Sequence, residues 1–467
     1  MTVEIKLSED VLLEIFDAYR QLYESDPRYE KIWNSIRGWF KLTHVCRNWR
    51  RLVHLSPCRL HVHLLFTSRR SSKALLLRNL PPLPILVDFR NASWTKREVS
   101  LALVALEHHG RVRGISLRTK PFKNIAKVFR ALSRHFPELE SLEIASGDRQ
   151  DFVVLPATFL LGSASSLRRL KLQDAEPRNL YPLLSSATGL VELALTLRVP
   201  HTTSPEESLI ANLQRMPCLR RLELRLTYPV WYDAMTGDRP RLPSLTGDII
   251  PLPNLMELVL AGDHIYLEAL VGVIAAPSLQ LLNAEFTDRN YEIQIPHLCR
   301  LICDTEHQFR LVRLDFSDFR LRFTAETHSK SVHAQPFRIS IPESISLEEM
   351  GNRLSGPLAT VEEVVVKRNI IGRIQGIQWR GLFNHLRQVK VLHVPWQVVP
   401  DVVHSFQQVD EEPNMDVLPA LEQVNMDMRQ FYPLELTSQN YGAITDAFNP
   451  LIAGRKKVGQ PITLSFI

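Results

Sequence analysis

The stretch SSLRRLKL, residues 165–172, returns as TGLVELAL at 188–195, with its first leucine moved from 167 to 190. In both copies apolar residues hold the third, sixth and eighth places: Leu167, Leu170 and Leu172, then Leu190, Leu193 and Leu195. The last two of each trio are two residues apart, the spacing at which a strand turns one face inward. FPELESLEI (136–144), MPCLRRLEL (216–224), LPNLMELVL (252–260), APSLQLLNA (276–284), IPHLCRLIC (295–303) and LPALEQVNM (418–426) carry the pattern behind a proline. RVRGISL (111–117), TVEEVVV (360–366) and RQVKVLHV (387–394) carry it without one. The proline suits the turn into a strand, where a missing N–H costs nothing.

The first anchors of these segments are Val112, Leu139, Leu167, Leu190, Leu219, Leu255, Leu279, Leu298, Val361, Val389 and Leu421. Apart from one long gap before Val361, their steps lie mostly in or near the span of leucine-rich repeats. No such unit buries its apolar side until a neighbour stacks on it. The returning segments have helical spacing: Ile125, Val128, Phe129 and Leu132 in one, Leu267, Leu270, Val271 and Ile274 in another. Parallel strands with helical returns predict an α/β chain, a curved solenoid with its strands on the concave side. Leu142, Leu170, Leu193, Leu222, Leu258 and Leu282 are expected to be buried. The beat breaks at about 304–360, where RLVRLDFSDFRLRFTAET and HAQPFRISIP read as extra strands. WYDAMTGDRPRLPSLTGD, 231–248, reads as a loop excursion.

Strand alternation places Arg118, Ser141, Glu143, Arg169, Lys171, Glu192, Arg221, Glu223 and Arg225 on the opposite, polar side. Arg169, Lys171, Arg221 and Arg225 are candidate target-binding residues, since guanidinium forks suit an acidic or phosphorylated segment.

The N-terminal region reads differently. In LTHVCRNWRRLV, 42–53, Leu42, Val45, Cys46, Trp49 and Val53 fall on one stripe of a single helix. Upstream, KLSEDVLLEIFDAY (6–19) offers Ser8 as a helix N-cap, Glu9 and Asp10 in the first turn, and Val11, Leu12, Ile15, Phe16 and Tyr19 as an apolar side.

Bulk composition narrows the class. The chain has 467 residues, 45% hydrophobic and 23% charged, with net charge +6, a composition usual for soluble globular proteins. Residues 1–60 hold 10 Lys and Arg against 8 Asp and Glu, residues 61–135 hold 15 against 3, and the remainder 31 against 39. The basic block has neither interleaved aromatic residues nor a nucleic-acid module, which argues for a solvated basic face rather than nucleic acid. No apolar run approaches the length of a membrane span, so neither a membrane segment nor secretion is expected. Five cysteines, at 46, 58, 218, 299 and 303, form no CxxC pair, which points to a reducing, cytoplasmic or nuclear compartment. His297, Cys299 and Cys303 lack a fourth ligand, so no metal is expected, and Cys303 reads as a buried small hydrophobe. Phosphate-loop, zinc-protease and hydrolase signatures are absent, so neither enzyme activity nor a cofactor is expected.

The pattern L-S-x-D-V-L-L-E-I-F at 7–16, followed by L-x-x-V-C-R-x-W-R-R-L at 42–52, resembles an F-box. With the repeats behind it, the chain resembles the fungal F-box proteins with degenerate leucine-rich repeats. Ser8 stands where that family most often has proline, and residues 20–38 exceed its usual connection. The resemblance implies an F-box domain over 1–60, a connecting segment and solenoid cap over 61–105, and an irregular repeat domain over 106–467. It implies docking of the Skp adaptor of a cullin-RING ubiquitin ligase through Leu7, Val11, Leu12, Ile15, Phe16, Val45, Cys46 and Trp49, as contacts or as the packing behind them. The chain would then be the ligase's substrate receptor, capturing an unknown target protein. The competing expectation is a non-catalytic repeat scaffold, or a nucleic-acid-associated protein, whose F-box-like helices recruit no ligase.

Overall fold

The computed structural model describes residues 7–24, 37–57, 59–60, 62–67, 82–119, 125–146, 155–156, 158–162, 164–175, 180–198, 205–227, 249–287, 294–305, 307–317, 320–327, 337–342, 346–368, 379–406, 417–427 and 438–466. The chain divides into two compact units, Met1–Val199 and Pro200–Ile467. Both are mixed α/β with mostly parallel strands. Among the described residues no helix is long and apolar enough to cross a membrane.

The first unit opens with helices α1 (Glu9–Glu24), α2 (Arg37–Thr43) and α3 (Arg47–Leu55). Strands β1 (Leu64–Thr67), β2 (Ile85–Phe89), β3 (Val112–Thr119), β4 (Ser141–Ser146), β5 (Arg169–Ala175) and β6 (Glu192–Arg198) follow, each parallel to the next. The register aligns the repeat: Leu142 lies beside Leu170 and Leu170 beside Leu193. All three are buried, as are Leu222, Leu258 and Leu282 of the second unit, so the inward phase read from the sequence holds at all six positions. Returns differ in form. Lys96–Glu107, Ile125–Ala131 and Leu180–Ser186 are α-helical, whereas the path from β4 to β5 has a 3-10 turn at Phe159–Gly162.

Hydrogen bonds show why proline recurs. The N–H of each anchor leucine bonds the carbonyl three residues back: Leu139 to Phe136 (3.3 Å), Leu219 to Met216 (3.2 Å), Leu255 to Leu252 (3.1 Å), Leu279 to Ala276 (3.2 Å) and Leu421 to Leu418 (3.1 Å). The proline is the second residue of that turn, where its fixed φ is favourable and no N–H is needed. A second device links neighbours. The carbonyl ahead of one strand accepts two successive N–H groups at the start of the next, as Arg168 does from Val191 (2.8 Å) and Glu192 (3.0 Å), and Lys390 from Glu422 (2.9 Å) and Gln423 (2.9 Å). Each unit therefore satisfies backbone groups of its neighbour as well as burying its leucines.

The second unit contains β7 (Arg221–Thr227), β8 (Ile250–Pro251), β9 (Glu257–Gly262), β10 (Ile274–Ala275), β11 (Leu281–Phe286), β12 (Phe309–Ser317), β13 (Arg320–Thr327), β14 (Phe337–Pro342), β15 (Glu363–Arg368), β16 (Val391–Pro395), β17 (Gln423–Asp427) and β18 (Thr463–Phe466). The main strand order is β7-β9-β11-β14-β13-β12-β15-β16-β17-β18, and β8 pairs with β10 apart from it. β13 is antiparallel to both neighbours, while β14 is parallel to β11 and β12 to β15. The Phe- and Arg-rich segments thus enter as three extra strands at the break in the beat.

Four expectations need correction. The helical return read through Leu267, Leu270, Val271 and Ile274 stops at Gly272, and Ile274 belongs to β10, paired with Ile250 of β8. IPHLCRLIC is no strand: Pro296–Cys303 is a helix with proline in its first turn. Pro-x-Leu-x-x-Leu fits either element, since proline also suits the first helical position. The decision comes from Glu268, whose carboxylate accepts the His297 N–H (2.8 Å) and the Leu298 N–H (3.0 Å) and caps the new helix. Cys303 is half-buried rather than buried, its thiol 3.4 Å from the Arg353 carbonyl, while Cys299 is the buried one. The single stripe over 42–53 is broken at 44–46, between α2 and α3. Cys46 is extended, φ −157° and ψ 173°, and its Sγ accepts the Trp49 N–H to start α3. The loop at 231–248 and residues 25–36 lie outside the described residues.

Candidate functional site

Ser8 begins α1 as its spacing predicts, its Oγ 3.4 Å from the Val11 N–H. The apolar residues of that helix then divide into two rows. Leu12 and Phe16 are buried, whereas Leu7, Val11 and Ile15 are 46%, 45% and 42% exposed. Positions four apart lie one above the other on a helix, so Val11 and Ile15 form an outward apolar row beside the inward one, and the exposed Leu7, just ahead of the Ser8 cap, adds to its start.

The inward row locks the module. Phe16 meets Trp49 of α3, and the fully buried Trp39 of α2 lies beside His54 of α3, ring centroids 6.4 Å apart. On the polar side Arg51 bonds Glu9, and Arg59 bonds Glu14 and also Asp17 (3.0 Å). Exposed pairs of this kind add little stability, but these hold the N-terminal half of α1 against the segment 51–59. The turn between α2 and α3 is closed by Arg50, whose Nε donates to the Thr43 carbonyl at 2.9 Å.

Of the eight residues assigned to adaptor docking, Leu12 and Phe16 therefore pack inside and Trp49 is half-buried behind them. Leu7, Val11, Ile15 and Val45 are exposed, as is Cys46. Two contributors were not singled out from the sequence. Leu55, 67% exposed at the end of α3, extends the apolar inventory, and Arg59 ties α1 from outside any helix. Only its ion pairs with Glu14 and Asp17 distinguish Arg59 from an ordinary surface residue.

The polar strand face is the second candidate. In the first unit Arg169 is exposed, with no carboxylate within 4 Å among the described residues, and Lys171 pairs with Glu143 at 3.5 Å. In the second unit Arg221 pairs with Glu257 (2.8 Å) and Glu223 (3.5 Å), and Arg225 with Glu223 (2.8 Å). Burial alone would raise the Glu223 pKa, yet the Arg225 hydrogen bond and the two guanidinium charges bring it below the ordinary value. Three of the four candidate cations are thus already paired on the strand face. Arg221, Glu223, Arg225, Glu257, Asn283 and Arg338 border an open depression of about 210 Å³.

Among the described residues no group of three His, Cys, Asp or Glu side chains is placed to hold a metal ion. No protein-family model matches this sequence, and no curated protein matches it.

Proposed function

We propose that the chain is a non-catalytic substrate receptor of a Skp-cullin-F-box ubiquitin ligase. Its N-terminal helices dock the Skp adaptor, and the repeating strand units, read as a curved leucine-rich-repeat solenoid, capture the protein to be ubiquitinated. The observation that supports this most is the outward row Leu7, Val11 and Ile15, since a small helical module gains no stability from the part of three apolar side chains that stays in water. A partner that covers the remaining exposed area would gain about 1 kcal/mol for each side chain.

Co-expression of the whole chain with a Skp-type adaptor and a cullin, followed by affinity purification through the chain, tests this reading. Recovery of both partners is the expected result. A folded chain that emerges alone would leave the repeat-scaffold reading in its place.

A further inference from the structure

The inserted strands place two arginines in an unusual electrostatic position. Arg338 of β14 lies between Asn283 of β11 and Thr324 of β13, both neutral. Arg322 of β13 lies across from Ser340, two residues along β14 from Arg338, and on its other side across from Asp315 of β12, which does not come within 4 Å of its guanidinium. The two arginines are therefore diagonal neighbours on one face, their backbones about 7–8 Å apart. Other arginines of that face are compensated: Arg221 by Glu257 (2.8 Å), Arg225 by Glu223 (2.8 Å), Arg313 by Glu326 (3.5 Å) and Arg320 by Glu285 (3.8 Å). Arg338 and Arg322 are exposed, and among the described residues neither has a carboxylate within 4 Å.

Like charges at neighbouring positions of a sheet repel and cost stability. A face that pairs its other arginines within 4 Å, but leaves Arg338 between neutral neighbours and Arg322 out of contact with Asp315, has room for a counter-charge from outside. Arg338 also borders the depression in front of β7, β9 and β11, whose own guanidiniums are held back by Glu223 and Glu257.

We propose that Arg338 and Arg322 seat an extended acidic segment of a captured protein, with Asp or Glu at alternate positions. An extended chain carries same-side residues about 6.6 Å apart, which matches the diagonal of the two arginines, and each guanidinium takes one carboxylate through paired N–H bonds. The site deepens the receptor reading by naming what the second unit recognises, and rests on it only for the origin of the segment.

The test is fluorescence anisotropy of the full chain with three labelled peptides: glutamates at alternate positions, glutamines at the same positions, and a single phosphoserine. Binding of the glutamate peptide alone, weakened at least about tenfold by Arg338→Gln with Arg322→Gln and by added salt, is expected. The double variant should keep a melting curve close to the wild type's, since among the described residues neither side chain makes an ion pair within 4 Å and Arg322 has only the more distant Asp315 across from it. No preference for glutamate over glutamine, unchanged binding by the double variant, or binding of the phosphoserine peptide alone would each overturn the proposal. Adaptor capture is read separately on the same proteins. Its absence would sink the ligase assignment and leave the acidic-segment site standing.

Discussion

The Phe16 ring meets the Trp49 indole edge-to-face, centroids 4.7 Å apart and planes at 66°, and this contact ties α1 to α3. It separates two effects that the apolar sequence of α1 runs together. Phe16 is wholly buried, so Phe16→Ala should cost about 3–5 kcal/mol. Ile15→Asp changes a surface position and should stay within about 0.5 kcal/mol. Amide hydrogen exchange of α1 and α3 reads the difference: protection lost in the first variant and kept in the second.

Glu268 gives the second unit a pH dependence. Burial raises its pKa to about 7, against partial relief from the His297 and Leu298 N–H groups and from the charges of His264 and Arg353. A raised carboxyl pKa means that the folded state holds the proton more tightly than the unfolded state. The stability it contributes is complete below pH 4.5 and is lost as pH rises through about 7. The loss is of order 3 kcal/mol. Denaturant unfolding at pH 5 and pH 8 should show this fall in the wild type. It should be reduced in Glu268→Gln, which carries no titrating group there but leaves one helix N–H without its acceptor.

Arg455 is fully buried, and among the described residues no carboxylate is in contact with it. Its guanidinium donates to the carbonyls of Val417 (2.8 Å), Leu418 (2.9 Å) and Pro419 (2.8 Å), and burial lowers its pKa. Arg455→Met would strand three acceptors that lead into β17, at about 1–3 kcal/mol each where they remain dry. Limited proteolysis should then cut between 417 and 427 well before it cuts the wild type, and Arg455→Lys should rescue only in part.

Much of the strand register was legible because each unit repeats one local rule. Leu142, Leu170, Leu193, Leu222, Leu258 and Leu282 could be placed inside from their spacing alone, since a strand has only two faces. Leu298 could not, because a proline followed by periodic leucines opens strands and helices alike. The deciding carboxylate, Glu268, lies 30 residues earlier. Nor could the sequence say which of Val11 and Leu12 turns inward, since adjacent apolar residues on a helix differ by about 100° and only α2 and α3 select between them. Cys46 broke an apparently continuous stripe because extended backbone at one residue cancels the helical count on either side. Spacing singles out the insertion at about 304–360 only as the alternative binding region and does not name Arg338 individually, because that residue belongs to an inserted strand outside the repeat phase.

The exposed row on α1 is tested most directly by calorimetric titration of a purified Skp-type adaptor into the full chain and into a Val11→Asp, Ile15→Asp double variant whose α1 retains wild-type hydrogen-exchange protection. Saturable binding by the wild type, weakened at least about a hundredfold by the two carboxylates, is the predicted result. A folded wild-type chain that gives no binding heat at any temperature tried, or equal affinity in the double variant, would contradict it.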